Sequence, residues 1–154
     1  MSQTNIIYRV EHPKDNRGIF WSQYYHKWTR NGKKAHLIRQ NFLNVRVLTD
    51  EFPEKVEGRN IQDYKCAFSS ISNLLYILDT ELLAYLVNCG FCLVEIKAPK
   101  VVHGRTQAIF VDENVKRNTL TVDKLLNKHA KQIAKEHLKE EFKTLNEKNY
   151  IIYN

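Results

Sequence analysis

The chain has 154 residues, 43 % hydrophobic and 27 % charged. That balance belongs to a folded globular domain, and the length suits a single domain with a proper core. The formal net charge is +7, which favours acidic partners such as nucleic acid, a nucleotide or an acidic protein surface. No apolar run approaches the about 20 residues needed to cross a bilayer. Met1-Ser2-Gln3-Thr4-Asn5 lacks the basic start and apolar core of a secretory signal, so the expectation is a cytoplasmic protein that makes no membrane contact. Three cysteines, Cys66, Cys89 and Cys92, an odd number, argue for reduced thiols. Cys89 and Cys92 form a C-x-x-C, but no second pair completes a zinc site, so no metal is expected.

In chain order, Ile6 to Val10 reads as a short strand and Glu11 to Gly18 as a turn, with Pro13 and Gly18 favouring non-helical backbone. Ile19 to Trp28 is aromatic. Trp21, Tyr25 and Trp28, spaced by four and three, predict one face of a helical turn packed on the core. The rival reading is a binding surface. No acidic residue occurs between Asp15 and Asp50, an interval that carries Arg17, Lys27, Arg30, Lys33, Lys34, Arg39 and Arg46. Trp21 and Tyr24 beside Lys27, Arg30, Lys33, Lys34 and Arg39 are what a base-stacking, phosphate-neutralising patch uses. Segment 17–46 is therefore the candidate contact with a host protein or nucleic acid. Asn31-Gly32 signals a turn, Phe42 to Leu48 alternates in part like a strand, and Thr49 to Asp63 reads as a surface loop, long enough for a lid or a contact segment.

The organising stretch is Cys66 to Val111. Ser69-Ser70-Ile71-Ser72 offers helix caps. Leu74 to Leu78 and Leu82 to Val87 are apolar runs interrupted by Asp79-Thr80-Glu81, and Asn88-Cys89-Gly90 ends the second. Phe91 to Ala98 alternates as a strand, Pro99 closes it, His103-Gly104 reads as a turn, and Thr106 to Val111 as a second strand. Asp112 to Asn118 is a polar connection. From there Val122, Leu125, Leu126, Ile133, Ala134, Leu138, Phe142 and Leu145 recur at helical spacing and predict a long amphipathic helix over 119–148. Tyr150 to Tyr153 reads as a terminal edge strand. The predicted fold is a single α+β domain over 1–154, a mixed or antiparallel sheet with two central helices in 6–111 and the long C-terminal helix.

Several chemistries are excluded by the sequence. No glycine-rich phosphate loop, G-x-S-x-G elbow or H-E-x-x-H zinc helix is present. His12, His26, His36 and His103 remain acid–base candidates, more often packing or surface residues than catalysts.

The early strand with Tyr8-Arg9, the middle Phe68-Ser69-Ser70 leading into a helix, and then the paired late strands resemble the R-S-E class of ADP-ribosyltransferase-like folds. The resemblance implies that Arg9 holds the phosphates of NAD and that Ser69 or Ser70 stands beside the nicotinamide ribose. It also implies a glutamate on the late strand, bonding the ribose and supporting an oxocarbenium-like transition state. Gln107 falls at that position. An amide still bonds a ribose hydroxyl but carries no charge to stabilise developing positive charge. Glu95 or Glu113 serves instead only in a different register. The Tyr-Arg-x-Glu-His-Pro opening is also similar to small proteins carried by bacteriophages. Together these imply a binding or inhibitory protein on a degenerate nucleotide site, with an active NAD-dependent transferase as the alternative.

Overall fold

The computed structural model describes residues 5–43, 51–105, 107–122 and 150–153. In chain order these form β1 (Ile6–Glu11), α1 (His26–Thr29), α2 (Gly32–Leu43), β2 (Lys55–Val56), β3 (Arg59–Asn60), β4 (Lys65–Ala67), α3 (Ile71–Asn88), β5 (Cys92–Lys97), β6 (Val101–Gly104), β7 (Ala108–Phe110), β8 (Lys116–Leu120) and β9 (Tyr150–Tyr153). This is an α+β fold in which every strand ladder is antiparallel.

The central stretch forms as its residues require. The Ser70 side chain accepts the Asn73 N–H and caps α3. Asp79 breaks the helix with φ 47° and ψ 174°, then restarts it by accepting the Leu82 N–H at 3.0 Å. Gly90, at φ 100°, ends it in the left-handed conformation that glycine adopts without steric cost. Leu74, Leu75, Leu78, Leu82, Leu83 and Leu86 of α3 are buried against α2 and the strands. Each contributes about 1.5–3 kcal/mol of burial.

Three strands in the order β1-β5-β8 make one sheet, four in the order β4-β7-β6-β9 make another, and β2-β3 form a small ribbon. The two larger sheets meet at one bridge, Tyr8–Phe68, closed by backbone hydrogen bonds of 2.8 and 2.7 Å. Through this bridge β7, β4, β1 and β5 lie side by side. Ile7, Ala67, Val94, Ile96, Val101, Ala108 and Phe110 pack one face. Phe52, Val56, Ile61, Tyr64, Val102 and Ile109 form a satellite core around the ribbon.

Several expectations are corrected. Segment 32–43 is a helix, with Asn31 Oδ1 capping Lys34 N–H at 3.1 Å, so Asn31-Gly32 starts an element rather than turning the chain. Its buried side, Ala35, Ile38 and half-buried Phe42, recurs at three and four, a stripe too sparse to stand out. Phe42 and Leu43 end that helix, and the rest of the strand expected over 42–48 lies outside the described residues. Segment 51–63 is not a surface lid: Glu51, Phe52, Val56 and Ile61 are buried. His103-Gly104 ends strand β6 and the turn follows it. Lys116 to Leu120 is a strand rather than a polar connection. The late strands do not pair with each other, because β5 bonds β1 and β8 while β7 bonds β4 and β6. The expected edge strand at Tyr150–Tyr153 is present and pairs with β6. The helix expected over 119–148 does not begin where the sequence placed it, since Thr119 and Leu120 end strand β8, and its residues 123–148 lie outside the described residues.

Candidate functional site

A cavity of about 700 Å³ opens where β1 and β4 diverge. Its apolar walls include Val10, Ile19, Phe20, Phe42, Phe68 and Leu78, and its polar lining includes Arg9, Arg17, Lys65, Gln62 and Gln107. Among the described residues no acidic side chain lines it. Volume and lining suit a small anionic ligand with a flat apolar part.

Arg9 spans the divergence of the sheets. Its Nη1 donates to the Cys66 carbonyl of β4 at 2.6 Å and its Nε donates to Glu11 at 2.8 Å, and the guanidinium lies 5.7 Å from the centre of the Phe110 ring. Glu11, 1 % exposed, also accepts from Arg117 Nε at 2.6 Å. Arg117 Nη2 donates to Asp112 at 2.9 Å, and Lys65 Nζ donates to the same carboxylate at 2.6 Å. A chain of five alternating charges, Arg9–Glu11–Arg117–Asp112–Lys65, thus ties β1, β8 and β4 together under the cavity. Burial alone would raise Asp112, but hydrogen bonds from Arg117 and Lys65 outweigh it and hold its carboxyl below the usual carboxylate range. A buried glutamate between two arginines is stable because neither sign is left uncompensated. The sequence reading missed this network. Its only signal, Arg-x-Glu on one strand, needs the partner at position 117 to acquire meaning.

Gln107 lines the cavity and donates Nε2–H to Glu51 at 3.3 Å. Glu51 is 3 % exposed and has room because residue 104 is glycine: a Cβ there would stand 2.7 Å from Glu51 Oε1 and 2.6 Å from the Phe52 ring. A carboxylate therefore lies directly behind the amide that replaces the expected glutamate. Glu95 and Glu113 do not line the cavity. Glu95 accepts from Tyr8 Oη at 3.5 Å, and Glu113 is an exposed partner of Arg59.

Of the four residues carried by the resemblance, Arg9 and Gln107 share the cavity, whereas Ser69 and Ser70 are outside its lining. Ser70 is occupied as the α3 cap, and Ser69 Oγ lies 2.6 Å from His103 Nδ1.

The basic, aromatic patch divides. Trp21 is 81 % exposed and sits at the cavity mouth, and Tyr25 is also exposed, while Trp28 is buried and donates Nε1–H to the Ile19 carbonyl at 2.8 Å. The expected core-facing stripe of Trp21, Tyr25 and Trp28 is thus corrected: the chain bends at Gly18 and Ser22 and only Trp28 points inward. Tyr24 stacks on His12 at 4.1 Å. Lys34 lies over Tyr85 and Arg39 over Trp28, at 5.4 and 5.3 Å, so these cations also serve the fold. Lys27, Arg30 and Lys33 are exposed.

Asp15 fixes the turn that presents Trp21. Its carboxylate accepts the Arg17 and Gln23 N–H groups at 3.1 and 3.0 Å and the Ser22 hydroxyl at 2.9 Å. Burial opposes ionisation, but these bonds outweigh it and lower the Asp15 pKa. Beside it, burial pushes His12 below its ordinary value, with Lys14 and Lys27 adding to the effect and Asp15 opposing it. Neutral His12 accepts the Lys14 N–H on Nδ1 at 3.2 Å.

All three cysteines are free thiols, Cys66 exposed at the cavity wall and Cys89 and Cys92 half-buried. Among the described residues no group of three His, Cys, Asp or Glu side chains is placed to hold a metal ion, and no helix is long and apolar enough to cross a membrane.

No curated protein and no solved structure matches the chain. A family model described as Bacteriophage T4 Y00F protein matches residues 1–122, most of the chain including every element that lines the cavity, and the protein belongs to that bacteriophage family.

Proposed function

We propose that this phage protein binds a nucleotide of the NAD type in the cavity between β1 and β4, through Arg9 and Gln107, without carrying out efficient transfer chemistry. The observation that carries this reading is that two residues 98 positions apart in sequence, Arg9 and Gln107, line one cavity with Arg17 and Lys65 and, among the described residues, with no acidic side chain. Support comes also from the adjacency of β1, β4 and β7, the strands that carry or adjoin Arg9, Phe68-Ser69-Ser70 and Gln107. In the resemblance the arginine stands on the early strand and the residue at 107 by a late one, while Ser69 and Ser70, outside the cavity lining, have no part in this reading. Binding is preferred to transfer because the amide of Gln107 supplies no negative charge to an oxocarbenium-like centre.

Calorimetry with NAD tests the reading. Arg17→Ala, at the exposed rim, is expected to weaken binding about tenfold by removing one charge-assisted contact to phosphate. Arg9→Ala is expected to weaken it further, with circular dichroism checking that the charge network has not collapsed. Absence of heat with the folded wild-type protein overturns the proposal. ADP-ribose appearing on the protein or on a host target, read as a mass gain, would make it a transferase instead.

A second reading is favoured by the exposed Trp21, Lys27, Arg30 and Lys33, namely that segment 17–46 contacts a host protein or nucleic acid. Affinity for a single-stranded oligonucleotide is then expected to fall steeply between 50 and 200 mM salt, about tenfold or more for each few phosphates neutralised. Binding indifferent to salt excludes phosphate neutralisation.

A further inference from the structure

We infer that Trp21 is a stacking platform for a second heteroaromatic base, so that the ligand is one in which a base lies beyond a phosphate linkage rather than a mononucleotide. The inference rests on the nucleotide reading of the cavity and adds the part of the ligand outside it. Trp21 combines two properties that seldom coincide: it lines the cavity, yet leaves 81 % of its surface in solvent. An indole left in water on a loose loop would carry no argument, but this one stands on a braced turn. The backbone N–H of Trp21 donates to the Gly18 carbonyl at 3.1 Å, the Ser22 N–H joins the same carbonyl at 2.9 Å, and the Asp15 carboxylate bonds both flanks. The adjoining Phe20 is held edge-on by Trp28 and Phe42, at 5.5 and 5.1 Å.

Charge completes the argument. The side chain of Arg17, exposed on the same turn, forms no ion pair among the described residues. A guanidinium that lines the same cavity as an exposed indole matches a phosphate that links an enclosed base or sugar to an outer base. A pre-ordered aromatic face also loses little conformational freedom on binding.

Two sources offer this chemistry, a free dinucleotide and the end of a single strand of nucleic acid. The test titrates NAD, nicotinamide mononucleotide and a short single-stranded oligonucleotide into the wild type, Trp21→Ala and Trp21→Phe. Trp21→Ala is expected to lose about tenfold in affinity for NAD, the usual scale of one base stacked on an aromatic ring, and to leave the mononucleotide unchanged. Trp21→Phe is expected to recover part of the loss. Only two tryptophans are present and Trp28 is buried, so quenching of the exposed tryptophan emission by NAD is expected in the wild type and absent in Trp21→Ala. Dependence on Trp21 for the oligonucleotide but not for NAD identifies a strand end as the source. Equal affinities of wild type and Trp21→Ala for both ligands overturn the inference while leaving the cavity reading intact. A wild type that binds none of the three overturns both.

Discussion

At the residue scale the decisive pair is Gln107 and Glu51. The amide and carboxylate are 3.3 Å apart and buried, so introducing a glutamate at the cavity wall is not a simple gain of charge. Gln107→Glu places two carboxylates within hydrogen-bonding reach, where like charges share one proton. The single variant is therefore expected to lose about 2–3 kcal/mol relative to wild type at pH 7. It should recover the loss as the pH falls toward 4, because a carboxyl with a raised folded pKa contributes stability only below it. Gln107→Glu combined with Glu51→Gln exchanges acid and amide and avoids the repulsion. If the cavity holds NAD, the double variant rather than the single one is expected to release nicotinamide, measured by chromatography. Equal stability of the single variant and wild type from pH 4 to 7 would show that the two side chains do not couple. Gln107 stood out in the sequence, but its neighbour at 51 did not. Glu51 sits in a stretch that reads as polar surface, and only packing of Phe52 beside Gly104 turns it inward.

At the element scale the clearest case is α3 and its break. Asp79 adopts a positive φ with extended ψ, a region that side-chain-bearing residues occupy at a cost of about 1–3 kcal/mol. It offsets that cost by capping the second half of the helix. Asp79→Ala keeps the strain and loses the cap, so a loss of about 1–2 kcal/mol is expected in urea unfolding. Asp79→Gly loses the cap but relieves the strain and is expected to cost less. If glycine proves the more damaging, the strain is not what limits this position. This break, the Ser70 cap and the Gly90 stop were legible because capping and left-handed stops are chemistry of a few adjacent residues. Helix α2 was not, since a 12-residue amphipathic segment with many exposed polar side chains declares itself only through what its one buried side meets. Strand β8 was hidden for the same reason. Lys116-Arg117-Asn118-Thr119-Leu120 has no apolar alternation, and it is held by its ladder with β5 and by Arg117 reaching Glu11.

For the whole molecule, charge placement sets a pH window of stability. His12 has a folded pKa below its ordinary value, so its contribution is complete above about pH 6.5 and is lost as the pH falls through the folded pKa. Asp15 and Asp112, also lowered, contribute fully above about pH 4 and are lost below it. Tyr8, Tyr64 and Tyr85 are raised, chiefly by burial, so their contribution holds below about pH 10 and fades above it. Burial also raises the Cys66 and Cys92 thiols, so the melting temperature is expected to form a plateau between roughly pH 6.5 and 9, with a shoulder on the acid side followed by a steeper fall below about pH 4. His12→Phe is expected to remove the shoulder alone. A profile unchanged by that substitution would assign the shoulder to other groups. What the sequence by itself determined was local: the first strand, the two-part helix with its caps, strand β5, the terminal edge strand, and the excess of positive charge. Tertiary structure decided which charges meet and which face the cavity. The Arg9–Glu11–Arg117–Asp112–Lys65 chain, the Glu51–Gln107 contact and the outward turn of Trp21 each join residues through space, and neither local propensity nor periodicity encodes who their neighbours are.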